Sequence, residues 1–193
     1  VKSPMFSFGR LTGADPLLSV EMNSTGEVGC FGDDLNEALL HAMCATGFQF
    51  PSKGVLLSLG PVKDKYWFSD EARAIAEELA LPIYATEGTA EALHDVGVVC
   101  EGVSKHPGNG VNALDLIDQG RVDLVINVPR EYDDLGRPDG YLIRRRAVEA
   151  GIPLITDIQL ARALIEALRW RSASDLNVLA WQEYSRRSPE SLA

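Results

Sequence analysis

Apolar residues in this chain fall into short continuous blocks, separated by stretches in which they recur every three or four positions. Residues 55–60, VLLSLG, make the first such block, entered through Pro51 and Gly54. A run of this length bounded by turn residues predicts a buried strand. Over 68–80 the period changes: Ala72, Ile75, Ala76 and Leu79 share one helical face, while Glu71, Arg73, Glu77 and Glu78 share the other. Pro82 then opens the strand PIYAT, which Gly88 ends, and a helix is expected over 90–96 before Gly97 and the run VVCEGV. Asn112, with Asp115 three positions on, has the form of a capping pair for a helix through Leu116 and Ile117. VDLVINVP is the most continuously apolar segment and is expected at the sheet centre. Residues 131–140, EYDDLGRPDG, read as a polar loop, 141–150 as a helix ended by Gly151, and IPLIT as a further strand. Asp157 is placed to cap a last helix striped by Leu160, Leu164, Ile165 and Leu168.

Strand and helix thus alternate about five times between residues 54 and 169. Short strands joined by helices require right-handed crossovers. The expected fold is therefore α/β: an open, doubly wound, mainly parallel sheet of five strands. The flanks differ from this. Residues 1–32 carry strand and turn signals, VEMNSTGEVGCFG among them, but too little apolar material for a core of their own. Residues 33–46 predict a connecting helix with Leu35, Leu39, Ala42 and Met43 on its inner face. Beyond Trp170 the tail has one apolar patch, VLAW, which either docks on a neighbour or frays.

Composition narrows the function classes. Hydrophobic residues make up 46% of the 193, which excludes a globally disordered chain. A formal charge of −10 argues against nucleic acid or an anionic membrane as partner, but leaves room for a small anion held by local charge. Cys30, Cys44 and Cys100 stand in no metal-ligand spacing and suit a reducing compartment, the cytoplasm or a mitochondrial matrix. No apolar run is long enough to span a bilayer as a helix. The N-terminal VKSPMFSFGR has no apolar signal core, and a start other than Met suggests a fragment of a longer chain.

In an open parallel sheet, ligands collect beyond the carboxyl ends of the strands. The segment YATEGTA puts Thr86 and Thr89 there, with Gly88 allowing a close turn and the next helix offering unpaired N–H groups to an anion. Ordinary helix capping is the competing reading. Lys65 and Lys105 follow the first and third strands, Asn127 ends the fourth with Arg130 just beyond, and Thr156 ends the fifth. Neither the P-loop nor the G-x-G-x-x-G fingerprint occurs. The histidines, His41, His94 and His106, form no H-E-x-x-H pattern, and neither a catalytic residue nor a metal site is expected.

These residues carry a resemblance. ATEGTA, LVINVP, IRRRAV and IPLITD fall in register with the carboxyl-terminal part of the large subunit of carbamoyl-phosphate synthase, and FSFGRLTGADPLLSVEMNSTGEVGCFG resembles the end of that family's second ATP-grasp unit. The resemblance implies an ATP-grasp tail at 1–32, a connecting helix and linker at 33–52, a methylglyoxal-synthase-like regulatory domain at 53–170 and a C-terminal tail at 171–193. It implies an effector-binding role, with Lys65 and Lys105 beside a phosphate, Thr86, Gly88 and Thr89 cradling it, and Asn127, Arg130 and Thr156 completing the contacts.

The chain's start and the tail VLAWQEYS look more like the ammonia-using members activated by N-acetylglutamate. Thr86, Thr89 and Asn127 match their effector residues, but their tryptophan position falls near Ser104 and Lys105, and two asparagine positions fall near Arg130 and Gly140. The expected partner is thus a small anionic effector, a nucleoside monophosphate ahead of N-acetylglutamate. The rest of the synthetase and its glutamine amidotransferase are the other implied partners. ATP, Mg2+ and K+ are implied for the parent enzyme of arginine and pyrimidine biosynthesis, and no cofactor for this chain. Two alternatives stand beside this: a methylglyoxal-synthase-like lyase acting on a small phosphorylated ketone, or a structural oligomerisation domain. The first-strand histidine of the lyases is missing here.

Overall fold

A computed structural model describes residues 1–17, 24–105, 108, 110–129 and 140–186. Two short antiparallel strands, β1 (Lys2–Met5) and β2 (Gly26–Gly29), open the chain and are followed by helix α1 (Leu35–Ala45). The main sheet contains β3 (Val55–Leu59), β4 (Ile83–Thr86), β5 (Glu101–Val103), β6 (Leu124–Val128) and β7 (Leu154–Ile155). Its order is β5-β4-β3-β6-β7 and every pairing is parallel. The five-stranded doubly wound sheet expected from the alternation is present, and all five residues of VLLSL and of LVINV are buried, as its central strands require.

Helices α2 (Val62–Trp67), α3 (Ser69–Glu77), α4 (Glu87–Asp95), α5 (Ala113–Asp118) and α6 (Tyr141–Glu149) make the crossovers, and α7 (Ile158–Trp170) follows the last strand. One face of the sheet packs Val55, Leu57, Leu59, Leu124 and Ile126 against α1, α3, α4 and α7; the other packs Leu56, Tyr84 and Val125 against α5 and α6. Side chains alternate along a strand. Ser58, Thr86 and Asn127 therefore share the α5–α6 face with Leu56, Tyr84 and Val125. Chain order reverses between β3 and β6, the switch point where open parallel sheets take ligands in a crevice beyond the carboxyl ends of the strands.

The caps read from sequence are in place. Asn112 accepts from the amides of Leu114 and Asp115 in a full capping box, and Asp157 accepts from Leu160 N at 2.8 Å. Four local readings change. Residues 62–67, for which the pattern predicts no element, coil into α2, with Pro61 as N-cap accepting from Lys65 N. Gly88 lies inside the first turn of α4 and does not precede it. The VVCEGV run pairs only over Glu101–Val103. In α1, Leu35 is 71% exposed while Leu40 is fully buried. The inward face is rotated because buried Glu37 accepts from Asp33 N and Asn177 N, tying that side of the helix to the tail.

That tail docks. The ring of Phe31 lies 5.2 Å from Trp181 and 5.7 Å from Tyr184 in helix α8 (Trp181–Arg186), and Arg171 Nη2 reaches Asp34 Oδ2 at 2.6 Å. No described helix is long and apolar enough to cross a membrane.

Candidate anion-binding site

Strand register builds the site. Ser58 pairs with Asn127 across β3 and β6, and Leu57 pairs with Ala85, which puts Thr86 next to Ser58 on the other side. Three polar side chains therefore stand in a row over three adjacent strands at the carboxyl edge. All are buried, with Ser58 4%, Thr86 4% and Asn127 1% exposed. Polar groups in such a place need partners. Thr86 Oγ1 reaches Ser58 Oγ at 3.4 Å, and lies 3.4 Å from Thr89 Oγ1. These distances are long for hydroxyl pairs, whose usual separation is about 2.7–2.8 Å. Weak mutual contacts of this kind are cheaply exchanged for a better acceptor.

Thr89 is held differently. Its Oγ1 accepts from Leu59 N at 3.0 Å and donates to Leu59 O at 3.3 Å, so it pins the first turn of α4 to the end of β3. The N-terminus of α4 thereby faces the hydroxyl row, with partial positive charge at its unpaired amides. Lys65 adds a full charge. A Cβ built on Gly88 would stand 3.0 Å from Lys65 Nζ, so glycine at 88 leaves room for the ammonium against the helix start. Lys105 lies two residues beyond Val103, the β5 partner of Thr86.

Asn127 is set by a second layer. Arg144, fully buried in α6, donates from Nη1 to Asn127 Oδ1 at 2.7 Å. The same guanidinium makes a bidentate pair with Asp15, Nε to Oδ1 at 2.8 Å and Nη2 to Oδ2 at 2.6 Å. A Cβ on Gly140 would stand 2.6 Å from Asn127 Nδ2, and the φ of Gly140 is 81°, so glycine is needed there on both counts.

The structure thus gathers Ser58, Thr86, Gly88, Thr89, Lys65 and Asn127 about one crevice. Thr156 is placed apart: it follows the edge strand β7 and lines a cavity of about 380 Å3 with Pro4, Phe6, Met43 and Phe48. Arg130 and His106 lie outside the described residues. Ser58, Arg144 and Asp15 are the contributors sequence reasoning missed. A lone serine in VLLSL and three consecutive arginines in an otherwise amphipathic IRRRAV were the available signals.

Other reactive groups lie elsewhere. His94 Nε2 sits 3.1 Å from Cys100 O and 3.4 Å from its Sγ, before β5 and hence at the opposite end of the sheet, while His41 Nδ1 contacts Phe31 O. Burial pushes the Cys100 thiol up, and burial with the nearby Cys30 does the same to Cys44. Among the described residues, no three His, Cys, Asp or Glu side chains gather as a metal site.

Comparison with known proteins gives the arrangement a context. Residues 70–156 match the MGS-like domain family. The multifunctional protein CAD of Squalus acanthias is 40% identical over 184 residues, covering 88% of this chain and 8% of that protein. The mitochondrial carbamoyl-phosphate synthase [ammonia] of Homo sapiens is 37% identical over 194 residues, covering 96% and 12%. The multifunctional protein ura1 of Schizosaccharomyces pombe is 39% identical over 177 residues, covering 87% and 8%. The chain spans about a tenth of the length of these curated relatives. A methylglyoxal synthase crystal structure from Elizabethkingia anophelis superposes with a TM-score of 0.43 at 15% identity, covering 72% of this chain and 97% of that one. Residues 70–156 are thus similar to the MGS-like domain family, and the chain aligns with the MGS-like domain region of carbamoyl-phosphate synthase large subunits and CAD-like multifunctional proteins.

Proposed function

We propose that this module is a regulatory domain that binds a small phosphate-bearing effector, a nucleoside monophosphate, in the crevice between β3 and β6. One observation carries the reading: buried Ser58 and Thr86 have only long contacts to each other and to Thr89 among the described residues, at a helix N-terminus beside Lys65. A phosphate offers several strong acceptors to such donors, and hydrogen bonds to a charged acceptor are about twice as strong as neutral ones. Lys65 and Lys105 supply charge that the acidic remainder of the chain does not.

The domain would serve a parent synthetase whose ATP, Mg2+ and K+ chemistry, and whose amidotransferase partner, lie outside this chain. Residues 1–32 would belong to that parent's second ATP-grasp unit, and the parent would form carbamoyl phosphate from bicarbonate and glutamine or ammonia. Calorimetric titration with uridylate, inosinate and N-acetylglutamate tests the effector class. Saturable binding of a nucleotide is expected, and saturable binding of acetylglutamate alone would overturn the phosphate assignment. Turnover of dihydroxyacetone phosphate by the chain would favour the lyase alternative instead. No catalytic group of this chain is assigned to that reaction, and none is expected.

A further inference from the structure

Arg144 is the largest fully buried side chain in the protein's described core, and it is charged. An isolated charge there would be strongly disfavoured, so its partners define what the site is built to hold. Two of them, from separate places, are described. Asp15, in the segment ahead of the sheet, takes Nε and Nη2, while Asn127, in the crevice, takes Nη1. The next residue repeats the theme: Arg145 Nη1 donates to Phe8 O at 3.1 Å, Leu11 O at 2.8 Å and Ala14 O at 3.4 Å. Tyr141 Oη donates to Gly13 O at 2.9 Å. Helix α6 therefore grips residues 8–15 through Tyr141, Arg144 and Arg145, and the crevice amide through the same Arg144.

The chemistry of the amide matters. Guanidinium has donors only, so the atom of Asn127 that meets Arg144 must be the carbonyl oxygen. The amide's other arm, Nδ2, then carries two N–H donors at the crevice end of β6. Were Arg144 released, the carboxamide could turn over and present an acceptor, which repels an anion.

We propose that Arg144 is a positioning residue: held by Asp15, it fixes Asn127 with its donor edge toward the crevice, and so couples anion binding to the docking of residues 8–15. The two contacts use different N–H groups of one guanidinium, so they are compatible and the coupling is positive. Linkage makes it reciprocal: the anion tightens the segment by the factor by which the docked segment tightens the anion. This rests on the anion-site reading for the ligand, but the link from Asn127 through Arg144 to Asp15 is testable without one.

The test has two arms in the intact protein. In the first, with no ligand, hydrogen exchange is followed at the amides of Arg10, Leu11 and Ala14, which are bonded within the segment to Ser7 O, Phe8 O and Leu11 O. Asn127→Ala should speed their exchange about tenfold, within the usual range of site-to-site coupling. Asn127→Asp should restore protection, since a carboxylate still accepts from Arg144, and Thr86→Val, which does not touch Arg144, should change nothing. In the second arm, uridine monophosphate is titrated. Asp15→Asn should weaken its binding about tenfold, and Asn127→Asp should abolish it despite the restored protection. A merely structural Asn127 would not separate the two readouts. Unchanged exchange in Asn127→Ala, or wild-type affinity in Asp15→Asn, overturns the coupling. Absence of nucleotide binding by the wild-type protein would sink the anion reading and the coupling with it, while the exchange arm would still decide whether the Asp15–Arg144–Asn127 link transmits.

Discussion

Thr86 and Thr89 are three residues apart, both buried, and 3.4 Å from each other, yet substitution by the isosteric valine should separate them cleanly. Thr89 accepts from Leu59 N at 3.0 Å, and Thr89→Val leaves that buried amide without its acceptor. An orphaned buried N–H costs about 1–3 kcal/mol. For a domain of this size each kcal/mol lowers Tm by about 2–4 °C, so a drop of about 5 °C is expected. Thr86 has no such duty: its contacts to Ser58 and Thr89 are both 3.4 Å, and their loss should cost under about 0.5 kcal/mol. The ligand reverses the ranking. If Thr86 donates to a phosphate, Thr86→Val removes a charge-assisted bond of about 1.5–3 kcal/mol and weakens nucleotide binding at least about tenfold, with the fold intact. Urea unfolding at constant m-value gives the first quantity, and calorimetric titration with uridylate the second. Equal destabilisation by the two variants would make Thr86 an ordinary structural cap. Unchanged affinity in a stable Thr86→Val would remove the crevice as the anion site.

Three further outcomes follow from the same contacts. Lys65→Met and Lys105→Ala should each weaken nucleotide binding about tenfold through loss of a charged donor, as a binding titration in low salt would show. Gly140→Ala should destabilise by about 2 kcal/mol or more, because the φ of 81° strains any side chain and the new Cβ meets the Asn127 amide at 2.6 Å; thermal melting measures it. Asp123 accepts from the amides of Ser52, Lys53 and Gly54 and from the Ser52 hydroxyl. Burial pushes its carboxyl up, but those bonds outweigh burial and leave it below the usual carboxylate value. Its stabilisation is therefore full above the unfolded pKa, about 3.9, and is lost as pH falls through the lower folded value. The stability gap between wild type and Asp123→Asn, read from urea midpoints, should be constant near neutrality and close below about pH 4.

Pattern alone determined the architecture of this protein. Continuous apolar runs such as LVINV can be buried only on both faces, and the helical stripes between them force crossovers, so a parallel doubly wound sheet was legible without coordinates. The same logic placed Thr86 and Asn127 at the carboxyl ends of their strands and Thr89 just beyond, because strand ends are where such a sheet presents side chains. It also found the caps at Asn112 and Asp157, which act within a few residues of themselves. What tertiary structure decided were the partnerships across distance. No periodicity brings Asp15 to Arg144, 129 positions away, or marks which arginine of RRR is buried completely. Strand register, a matter of pairing between separate segments, put Ser58 beside Asn127 and Thr86 and left Thr156 at the far edge. The inner face of α1 turned for a similar reason: Glu37 was drawn inward by an amide 140 residues downstream, and Leu35 was left in water. Local free energies are written in neighbouring residues, whereas a buried charge or a polar row is settled only by whatever the folded chain brings to meet it.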